Sequence, residues 1–477
     1  MDKNMSISAI LKPNKPSKII NTGVKQTSTN ISYCGEFVAK VCDVYNVGDE
    51  QMPISVIRSL AVLKKATALA NEELKLLSKD KTVKIIKAID EIVSGDLDAH
   101  FPLKVWQSGA GMCSNINVNE VIVNRALNIV GEKVRAKKTI NNPIDPIEDV
   151  NKSHTSNDAF SIAIHIAAAS TMKNDLIPAA KKLRNSLDAK SKEFANVIKV
   201  GRTHSMDAFL FTFGEELAGY VQLLDNEIER MEHSIDVLCE LALGTMVIGD
   251  DRTTIPKEFP SKVAKQLQKI TKLPVRVARN KLAVLSSKDA LMFAHSTIRL
   301  FASTLLKIAN DIRILASGPR CGIGELTLPQ NIDEPIMTGH IPNEITAMVC
   351  AQVFGNDTTI QFAGTSGELE LNVYMPVIIY NFLQSATLLT DTSIMFEKQC
   401  IKGIKINRTK NTQHTYNTLV TIRELEPQVG IENCKSIVKF AIKEDITIKD
   451  AATKLGFIKE DEFERKLISE KYFSKKK

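Results

Sequence analysis

Long apolar stripes dominate the sequence after about residue 158. Between Ser287 and Gly318, apolar residues recur at alternating steps of three and four. They are Leu291, Ala294, Ile298, Phe301, Leu305, Ile308 and Ile312. Because this spacing places them on one face of an α-helix, it predicts a helix of about eight turns. Ser286 or Ser287 is expected to cap its start, and Gly318 with Pro319 to end it.

Two further stripes predict helices of similar length. The first comprises Phe213, Leu217, Tyr220, Leu224, Ile228, Met231, Ile235 and Leu238, and it ends before Gly244. The second starts near Pro376, a residue type tolerated in the first helical turn, and runs through Phe382, Leu389 and Met395. Helices this long indicate a bundle, and they favour one shared between subunits.

Shorter helical patterns lie on either side of these stripes. They cover residues 56–77 and 83–92, and later residues 433–441, 448–455 and 460–469. A chain of 477 residues exceeds what one core usually organises. We therefore predict a flexible segment at 1–30, an N-terminal domain at 31–152, a long-helix domain at 153–400 and a small helical domain at 401–477.

The composition excludes several classes of protein. With 44% hydrophobic and 25% charged residues, the chain is neither disordered nor collagen-like. The net charge of +7 is spread along the chain and aromatic residues make up 5%, which argues against a nucleic-acid surface. The eight cysteines form no CxxC pair, so no metal site or disulfide framework is expected. No run of about 18 apolar residues predicts a membrane span.

The first segment with candidate chemistry is residues 106–126. Gly109 and Gly111 permit close backbone approach there. Amides are supplied by Asn115, Asn117 and Asn119. Such a cluster fits a carboxylate site, and it fits equally a loop that caps a helix.

The second segment, residues 150–160, places hydroxyls and amides before a predicted helix. They belong to Ser153, Thr155, Ser156 and Asn157. Backbone N–H groups and hydroxyls at a helix N-terminus form an anion site that suits a small dicarboxylate. The alternative is a structural N-cap by Ser156, Asn157 or Asp158.

The third segment, residues 199–209, contains Thr203 and His204 just before a long helical pattern. Histidine titrates near neutrality and can relay a proton, although a lone histidine is more often structural. The fourth segment, residues 241–251, is a link bounded by glycines that carries no information by itself.

Taken together with SGPRCGIGEL at residues 317–326, these four segments resemble the class II fumarases of the fumarase/aspartase superfamily. The similarity extends over about residues 32–467. It implies a mainly α fold of three domains, with long central helices forming a tetrameric 20-helix core. It also implies active sites built from loops of three subunits, and reversible hydration of fumarate to L-malate without a metal or organic cofactor.

The family chemistry requires a base that abstracts a proton beside a carboxylate, an acid at the leaving hydroxyl, and donors for both carboxylates. By resemblance, Thr155, Ser156 and Asn157 match the family's SSN, and Thr203 and His204 match fully. The expected catalytic residues are His204 and Glu344. The expected substrate-binding residues are Thr155, Ser156, Asn157, Thr203, Gly109, Gly111 and His340. Glu344 is the nearest candidate for the carboxylate partner of His204.

Several positions depart from the family pattern. The family's GSGT appears as Gly109, Ala110, Gly111 and Met112, so two hydroxyls are lost. Residues 331–343 replace the family's serine-containing loop, and no serine lies between Ser317 and Ser366. The lysine and asparagine of the family loop fall on His340 and Pro342, and Thr338 is the only hydroxyl nearby. The accessory anion motif HPND reads PIED at residues 146–149.

We therefore expect a fumarate hydratase-family protein of the tricarboxylic acid cycle whose activity is weak or lost. One alternative is a non-catalytic assembly or regulatory subunit that pairs with an active fumarase. Another is a lyase or binder for a different small anion. The expected partners are a dicarboxylate and further subunits, in a homotetramer or hetero-tetramer, with neither nucleic acid nor membrane.

The expected compartment rests mainly on the resemblance. The first 30 residues contain one acid, Asp2, and five lysines but no arginine. A mitochondrial transit segment and a plain disordered tail both fit this composition. A mitochondrial location is expected, with the cytoplasm as the alternative.

Overall fold

The described part of the chain, in a computed structural model, comprises residues 33–129, 144–245, 255–329, 340–459 and 462–463, and it is mainly helical. It divides into two compact units. Unit 1 contains Met1–Pro178, Glu229–Leu300 and Ala351–Thr390. Unit 2 contains Ala179–Ile228, Phe301–Cys350 and Asp391–Lys477. The boundaries of the predicted domains, at residues 30, 152 and 400, stay a prediction.

The helices and strands follow one another along the chain. The first helices are α1 (Glu36–Val44), α2 (Ile54–Glu73), α3 (Lys79–Ser94), α4 (Met112–Ile129), α5 (Ser156–Thr171) and α6 (Ile177–Glu193). Strands β1 (Ile198–Thr203) and β2 (Met206–Thr212) precede α7 (Phe213–Leu238). Next come β3 (Glu240–Leu241), α8 (Phe259–Thr271), β4 (Arg276–Val277), α9 (Lys281–Ser286) and α10 (Asp289–Leu315).

The remaining elements begin with β5 (Leu326–Thr327), α11 (Ile341–Thr365), α12 (Met375–Gln399) and β6 (Lys405–Ile406). The last helices are α13 (Arg408–Asn417), α14 (Ile422–Val429), α15 (Ile431–Glu444) and α16 (Ile448–Lys454). Short 3₁₀ turns lie at Asp98–His100, Ile401–Gly403 and Leu419–Thr421, and π-helical turns at Pro146–Val150 and Met172–Leu176. The four long helices α7, α10, α11 and α12 each contribute residues to both units.

The strands form three two-stranded sheets within the described ranges. In the largest, β1 pairs antiparallel with β2, with Ile198 opposite Thr212 and an irregular register between Gly201 and Arg202. Parallel pairing joins β3 to β4, and antiparallel pairing joins β5 to β6.

In unit 1, α2 is largely buried. Most of its residues are buried, including the polar side chains of Arg58 and Lys64. It packs against α3, α5 and α8. A helix that is apolar nearly all round is expected where neighbours cover every face. In unit 2, the C-terminal helices α14, α15 and α16 bury a separate cluster that includes Leu425, Ile437 and Ile448.

The three long stripes predict α7, α10 and α12 correctly, and the shorter patterns correspond to α2, α3, α15 and α16. Most of the pattern at 460–469 lies outside the described residues. The prediction that His204 directly precedes a long helix is wrong, because β2 separates it from α7. Helix α11 has no counterpart among the predicted helices.

Candidate active site

The loop that contains Gly109 and Gly111 is clamped by close backbone contacts within unit 1. A Cβ atom at Gly109 would lie 1.7 Å from the carbonyl oxygen of Val373. Met375 N donates to Gly109 O at 3.2 Å, which ties the loop to the start of α12. Gly111 has φ +70°, and a Cβ there would lie 1.9 Å from the Phe160 ring. Only glycine fits at both positions, as the sequence predicts.

The first two motif segments meet through their amides. Asn115, in the first turn of α4, donates to Ser156 Oγ at 3.0 Å and to Asn151 Oδ1 at 3.0 Å. Asn117 donates to His100 O instead, and Asn119 donates to Asn151 Oδ1 at 3.3 Å. The asparagines of the first segment therefore position the second segment.

Helix α5 starts with a capping box at Thr155. Its hydroxyl accepts from Asp158 N at 3.2 Å, and Thr155 N donates to Asp158 Oδ2 at 3.5 Å. The N-cap is therefore Thr155, not Ser156, Asn157 or Asp158 as the structural alternative expected. Burial raises the pKa of Asp158, which also accepts from the Thr245 hydroxyl. Ser156 is half-buried and Asn157 is exposed, so both can meet a ligand at this helix N-terminus.

The altered positions in this region offer no hydroxyl. Ala110 is buried, whereas Met112, the first residue of α4, is 42% exposed. Met112 lies three residues before Asn115, so the two side chains share a helix face.

Thr203 and His204 lie at the tip of the β1–β2 hairpin in unit 2. Both residues are exposed, and His204 and Ser205 have φ of 55° and 62°. Positive φ is uncommon for residues other than glycine, and two in succession are typical of a tight type I′ hairpin turn. The turn presents the imidazole to solvent at a defined position.

Buried ion pairs anchor this hairpin. Lys199 on β1 contacts Glu216 Oε1 and Oε2 at 2.7 and 2.8 Å. Arg202 contacts Glu325 Oε1 at 2.6 Å, and His414 Nδ1 lies 2.8 Å from the same oxygen. Burial by itself would raise the pKa of Glu325, but its hydrogen bonds with Arg202 and His414 outweigh burial and lower that pKa. These anchoring residues were not among the sequence candidates.

His340 and Glu344 lie where α11 begins, also in unit 2. His340 O accepts from Asn343 N and Glu344 N, and His340 Nε2 lies 3.4 Å from Ala316 O. The Glu344 side chain is exposed. Among the described residues, no hydrogen bond or ion pair joins Glu344 to His204. The resemblance places such contacts between subunits, so this pairing stays a prediction. Residues 331–339, including Thr338, lie outside the described residues.

The structure places the candidate residues in two groups. Unit 1 holds Gly109, Gly111, Thr155, Ser156 and Asn157. Unit 2 holds Thr203, His204, His340 and Glu344.

Within the described ranges, no cluster of three or more His, Cys, Asp or Glu side chains is arranged to hold a metal ion. The cysteines described there are free thiols, and burial raises the pKa of Cys239, Cys350 and Cys400 to about 12. No described helix is long and apolar enough to cross a membrane.

Known proteins with this fold define the class of the chain. The lyase family model matches residues 35–355. The crystal structure of class II fumarase from Schistosoma mansoni is 30% identical, with a TM-score of 0.84 over 92% of this chain and 95% of that one. A fumarate lyase:delta crystallin from Brucella melitensis is 31% identical, with a TM-score of 0.86 over 93% and 96%. These matches and the long helices define the fold of the fumarase/aspartase superfamily.

Curated relatives narrow the assignment. Fumarate hydratase class II 2 of Bradyrhizobium diazoefficiens is 43% identical over 433 residues, which is 90% of each chain. Fumarate hydratase class II of Bacillus subtilis is 42% identical over 88% of this chain and 90% of that protein. The chain belongs to the class II fumarate hydratase family, which confirms the resemblance that its motifs indicate.

Proposed function

We propose that this chain is a fumarate hydratase-family protein whose conversion of fumarate to L-malate is weak or lost. Its relatives carry the name of that reaction, which belongs to the tricarboxylic acid cycle. The donors at the start of α5 and the exposed His204 are retained. They supply part of a site for a small dicarboxylate.

The position of Met112 is the observation that supports the proposal most directly. Met112 is 42% exposed at the first position of α4, three residues before Asn115, whose amide donates to Ser156. A thioether offers a carboxylate no hydrogen-bond donor. At the start of α11, Pro342 likewise has no side-chain donor.

Residues 331–343 contain no serine, so the family's catalytic base has no counterpart there. By resemblance, the family's loop serine takes the base role. Loss of a general base costs about 10² to 10⁴ in rate, and loss of one preorganised donor costs about 10² to 10³. Such losses do not add simply, yet together they leave little ordinary turnover.

The test is turnover of fumarate and L-malate by the recombinant protein, with a Bacillus subtilis-type enzyme as the positive control. We expect rates at least about 10³-fold below the control, the size of one lost base or donor. Rates comparable to the control would refute the claim that the altered loop is disabling.

A graft tests the same claim from the opposite direction. A chain with the GSSIMPGKVN loop restored, together with Ala110→Ser and Met112→Thr, should recover measurable turnover. The loop graft alone and the two point substitutions alone are the matched controls. No recovery in the combined variant would mean that other parts of the scaffold have changed.

An assembly role is a second proposal, supported by an uncharged exposed stripe on α11. Ile345, Met348 and Phe362 are 37%, 65% and 70% exposed. Between them, Ala351 and Gly355 are exposed, and a Cβ at Gly355 would meet nothing within 4 Å. Small and apolar residues along one face suit close packing against another helix. We propose that this stripe packs in a homotetramer, or in a hetero-tetramer with an active fumarase.

The combined substitution Met348→Glu and Phe362→Glu should shift the native mass to smaller species. Lys435→Glu, at an exposed position of α15, is the control, and the masses are measured by light scattering after gel filtration. Co-expression with an active fumarase separates the two assemblies, since only the hetero-tetramer would retain both chains after dilution. An unchanged mass of the double variant would contradict the role of the stripe.

Binding of a different small anion is a third proposal, supported by the intact donors at the start of α5. It would use Thr155, Ser156, Asn157, His204, His340 and Arg320. Fumarate, L-malate and other small carboxylates should be compared by calorimetry. Tightest binding of fumarate among them would count against this alternative.

For the compartment we propose mitochondria, with the cytoplasm as the alternative. The support is the family and the lysine-rich, acid-poor first 30 residues. A C-terminal fluorescent fusion with and without residues 1–30 tests this. Identical cytoplasmic distributions of the two fusions would exclude a transit segment.

A further inference from the structure

Lys64 is a buried lysine that the site described above does not use. It lies in the middle of α2 with 0% exposure. Its Nζ contacts Asn151 Oδ1 at 2.6 Å and His154 Nε2 at 2.9 Å. Among the described residues no carboxylate forms an ion pair with it, and burial lowers its pKa well below the usual range. Burying an amine without a counter-charge costs desolvation free energy. The hydrogen bonds that Lys64 donates are therefore its main compensation.

His154 receives one of these hydrogen bonds. Its Nδ1 lies 2.9 Å from Lys152 O, a carbonyl that can only accept. The hydrogen therefore sits on Nδ1, and Nε2 accepts from Lys64. Burial, and then the charge of Lys64, lower the pKa of His154 well below its usual range, in agreement with a neutral ring.

Asn151 receives the other hydrogen bond, and a backbone carbonyl fixes the orientation of its amide. The amide nitrogen of Asn151 faces the backbone carbonyl of His154, which can only accept, so the atom of Asn151 that faces Lys64 is Oδ1. The side-chain nitrogen of Asn151 donates to His154 O at 2.8 Å. The groups that approach Asn151 Oδ1 from α4 must then be amide nitrogens, and they belong to Asn115 and Asn119.

The orientation of the Asn115 amide determines how Ser156 is hydrogen-bonded. The same Nδ2 of Asn115 that donates to Asn151 also donates to Ser156 Oγ at 3.0 Å. Ser156 Oγ is therefore an acceptor inside the protein, and its own O–H is left to donate at the start of α5. The Oδ1 atoms of Asn115 and Asn119 are buried without a partner among the described residues, which is a cost of this arrangement.

We propose that Lys64 and Asn115 are positioning residues that orient the Ser156 hydroxyl as a hydrogen-bond donor to a carboxylate. Lys64 donates to His154 Nε2 and to Asn151 Oδ1, and the His154 carbonyl accepts from Asn151 Nδ2. Asn151 Oδ1 can therefore only accept from Asn115, which sets the direction of donation toward Ser156. The consequence is a site selective for an anionic acceptor at the start of α5. This inference rests on the proposed small-carboxylate site and names the buried residues that orient it.

The test is a double-mutant cycle measured by calorimetric binding of fumarate. Lys64→Met keeps an unbranched side chain and removes the donor, and Asn115→Leu removes the link to Ser156. Each should weaken binding about 5- to 10-fold, the scale of one hydrogen bond. In a Ser156→Ala background, each should weaken binding less than about 2-fold further. Lys65→Met, at the neighbouring lysine that pairs with Asp90, is the matched control and should leave affinity unchanged.

Equal weakening in both backgrounds would show a general structural effect and overturn the positioning role, as would unchanged affinity in Lys64→Met. Crystal structures of the wild type and Lys64→Met separate this from failure of the proposed function. If the wild type binds no fumarate, yet the variant loses the Asn115–Ser156 contact, the positioning role stands and the carboxylate proposal fails. If that contact is unchanged in the variant, the positioning role fails.

Discussion

Gly109 illustrates how one backbone contact fixes the loop that begins the candidate site. A Cβ atom at this position would lie 1.7 Å from Val373 O, and the same glycine's carbonyl accepts from Met375 N. Neither backbone group belongs to a flexible side chain that could move aside. Glycine here is required by the close approach of two chain segments that are far apart in sequence.

Gly109→Ala should therefore destabilise the protein by about 2 kcal/mol or more, as expected when a buried backbone contact must open. Gly219→Ala is the matched control, because Gly219 is exposed within α7 and a Cβ there would meet nothing within 4 Å. The control should be stabilised by about 0.5–1 kcal/mol. Urea denaturation measures both, and equal effects of the two substitutions would contradict the clamp.

At this scale the sequence predicts residue types well and contacts poorly. Gly109 and Gly111 are recognisable from their spacing, since close approach or positive φ favours glycine. Thr155 stays a predicted substrate-binding residue, whereas the contact in which its hydroxyl accepts from Asp158 N and caps α5 was not predicted. Lys64 cannot be recognised from the sequence as part of the site. Its partners Asn151 and His154 are 87 and 90 residues away, and no local pattern indicates these contacts.

Among the helices, a buried hydrogen-bonded network within unit 1 joins α10, α11 and α12. His295 Nδ1 lies 2.8 Å from Asp357 Oδ1, and His295 Nε2 lies 2.9 Å from Ser385 Oγ. The order Ser–His–Asp is that of a hydrolytic triad. However, His295 and Ser385 have 0% exposure, so this network holds helices together rather than meeting a substrate.

His295→Leu should destabilise the protein by about 2–4 kcal/mol, because Asp357 Oδ1 and Ser385 Oγ each lose a buried hydrogen bond. Ser296→Ala, on the half-buried neighbouring residue whose hydroxyl donates only to Phe293 O in the same helix, should change stability by less than about 0.5 kcal/mol. Urea unfolding followed by circular dichroism measures both variants. A negligible effect at His295 would mean that water or rearranged side chains replace its partners.

The long helices α7, α10 and α12 were predictable because their apolar residues repeat with the helical period. Helix α11 was not predicted. Its own small and apolar residues are distributed around all its faces, so its sequence shows no single apolar stripe. The β1–β2 hairpin was not predicted either, because His204 and Ser205 replace the Asn-Gly type of turn signal.

Over the whole molecule, buried histidines make stability depend on pH. Burial lowers the pKa of His165 to about 4, and burial also lowers the pKa of His154 and His295. A group whose folded-state pKa is lowered stabilises the fold above its unfolded pKa, near 6.5, and loses this contribution as pH falls toward the folded value. The raised pKa values of Glu120, Asp158 and Glu216 act in the opposite direction, so single variants are needed to separate the effects.

The free energy of unfolding of His165→Leu, measured relative to that of the wild type, should rise by about 2 kcal/mol when the pH is lowered from 7 to 5. The variant removes a group that takes up a proton only on unfolding in this range. His233→Leu, at an exposed histidine, is the matched control. Thermal and urea unfolding at both pH values measure the difference, and a gain no larger than that of the control would show that His165 is not held neutral.

The sequence by itself determined the mainly helical fold, the fumarase family and the residue types at the candidate site. These properties depend on apolar periodicity and on residue type, which are local. Only the tertiary structure decided which polar groups meet. Lys64 reaches Asn151 and His154 across 87 and 90 residues, and Asn115 reaches Ser156 across 41. Asparagine and serine side chains can both donate and accept hydrogen bonds. Which of the two they do depends on the partner that folding places against them.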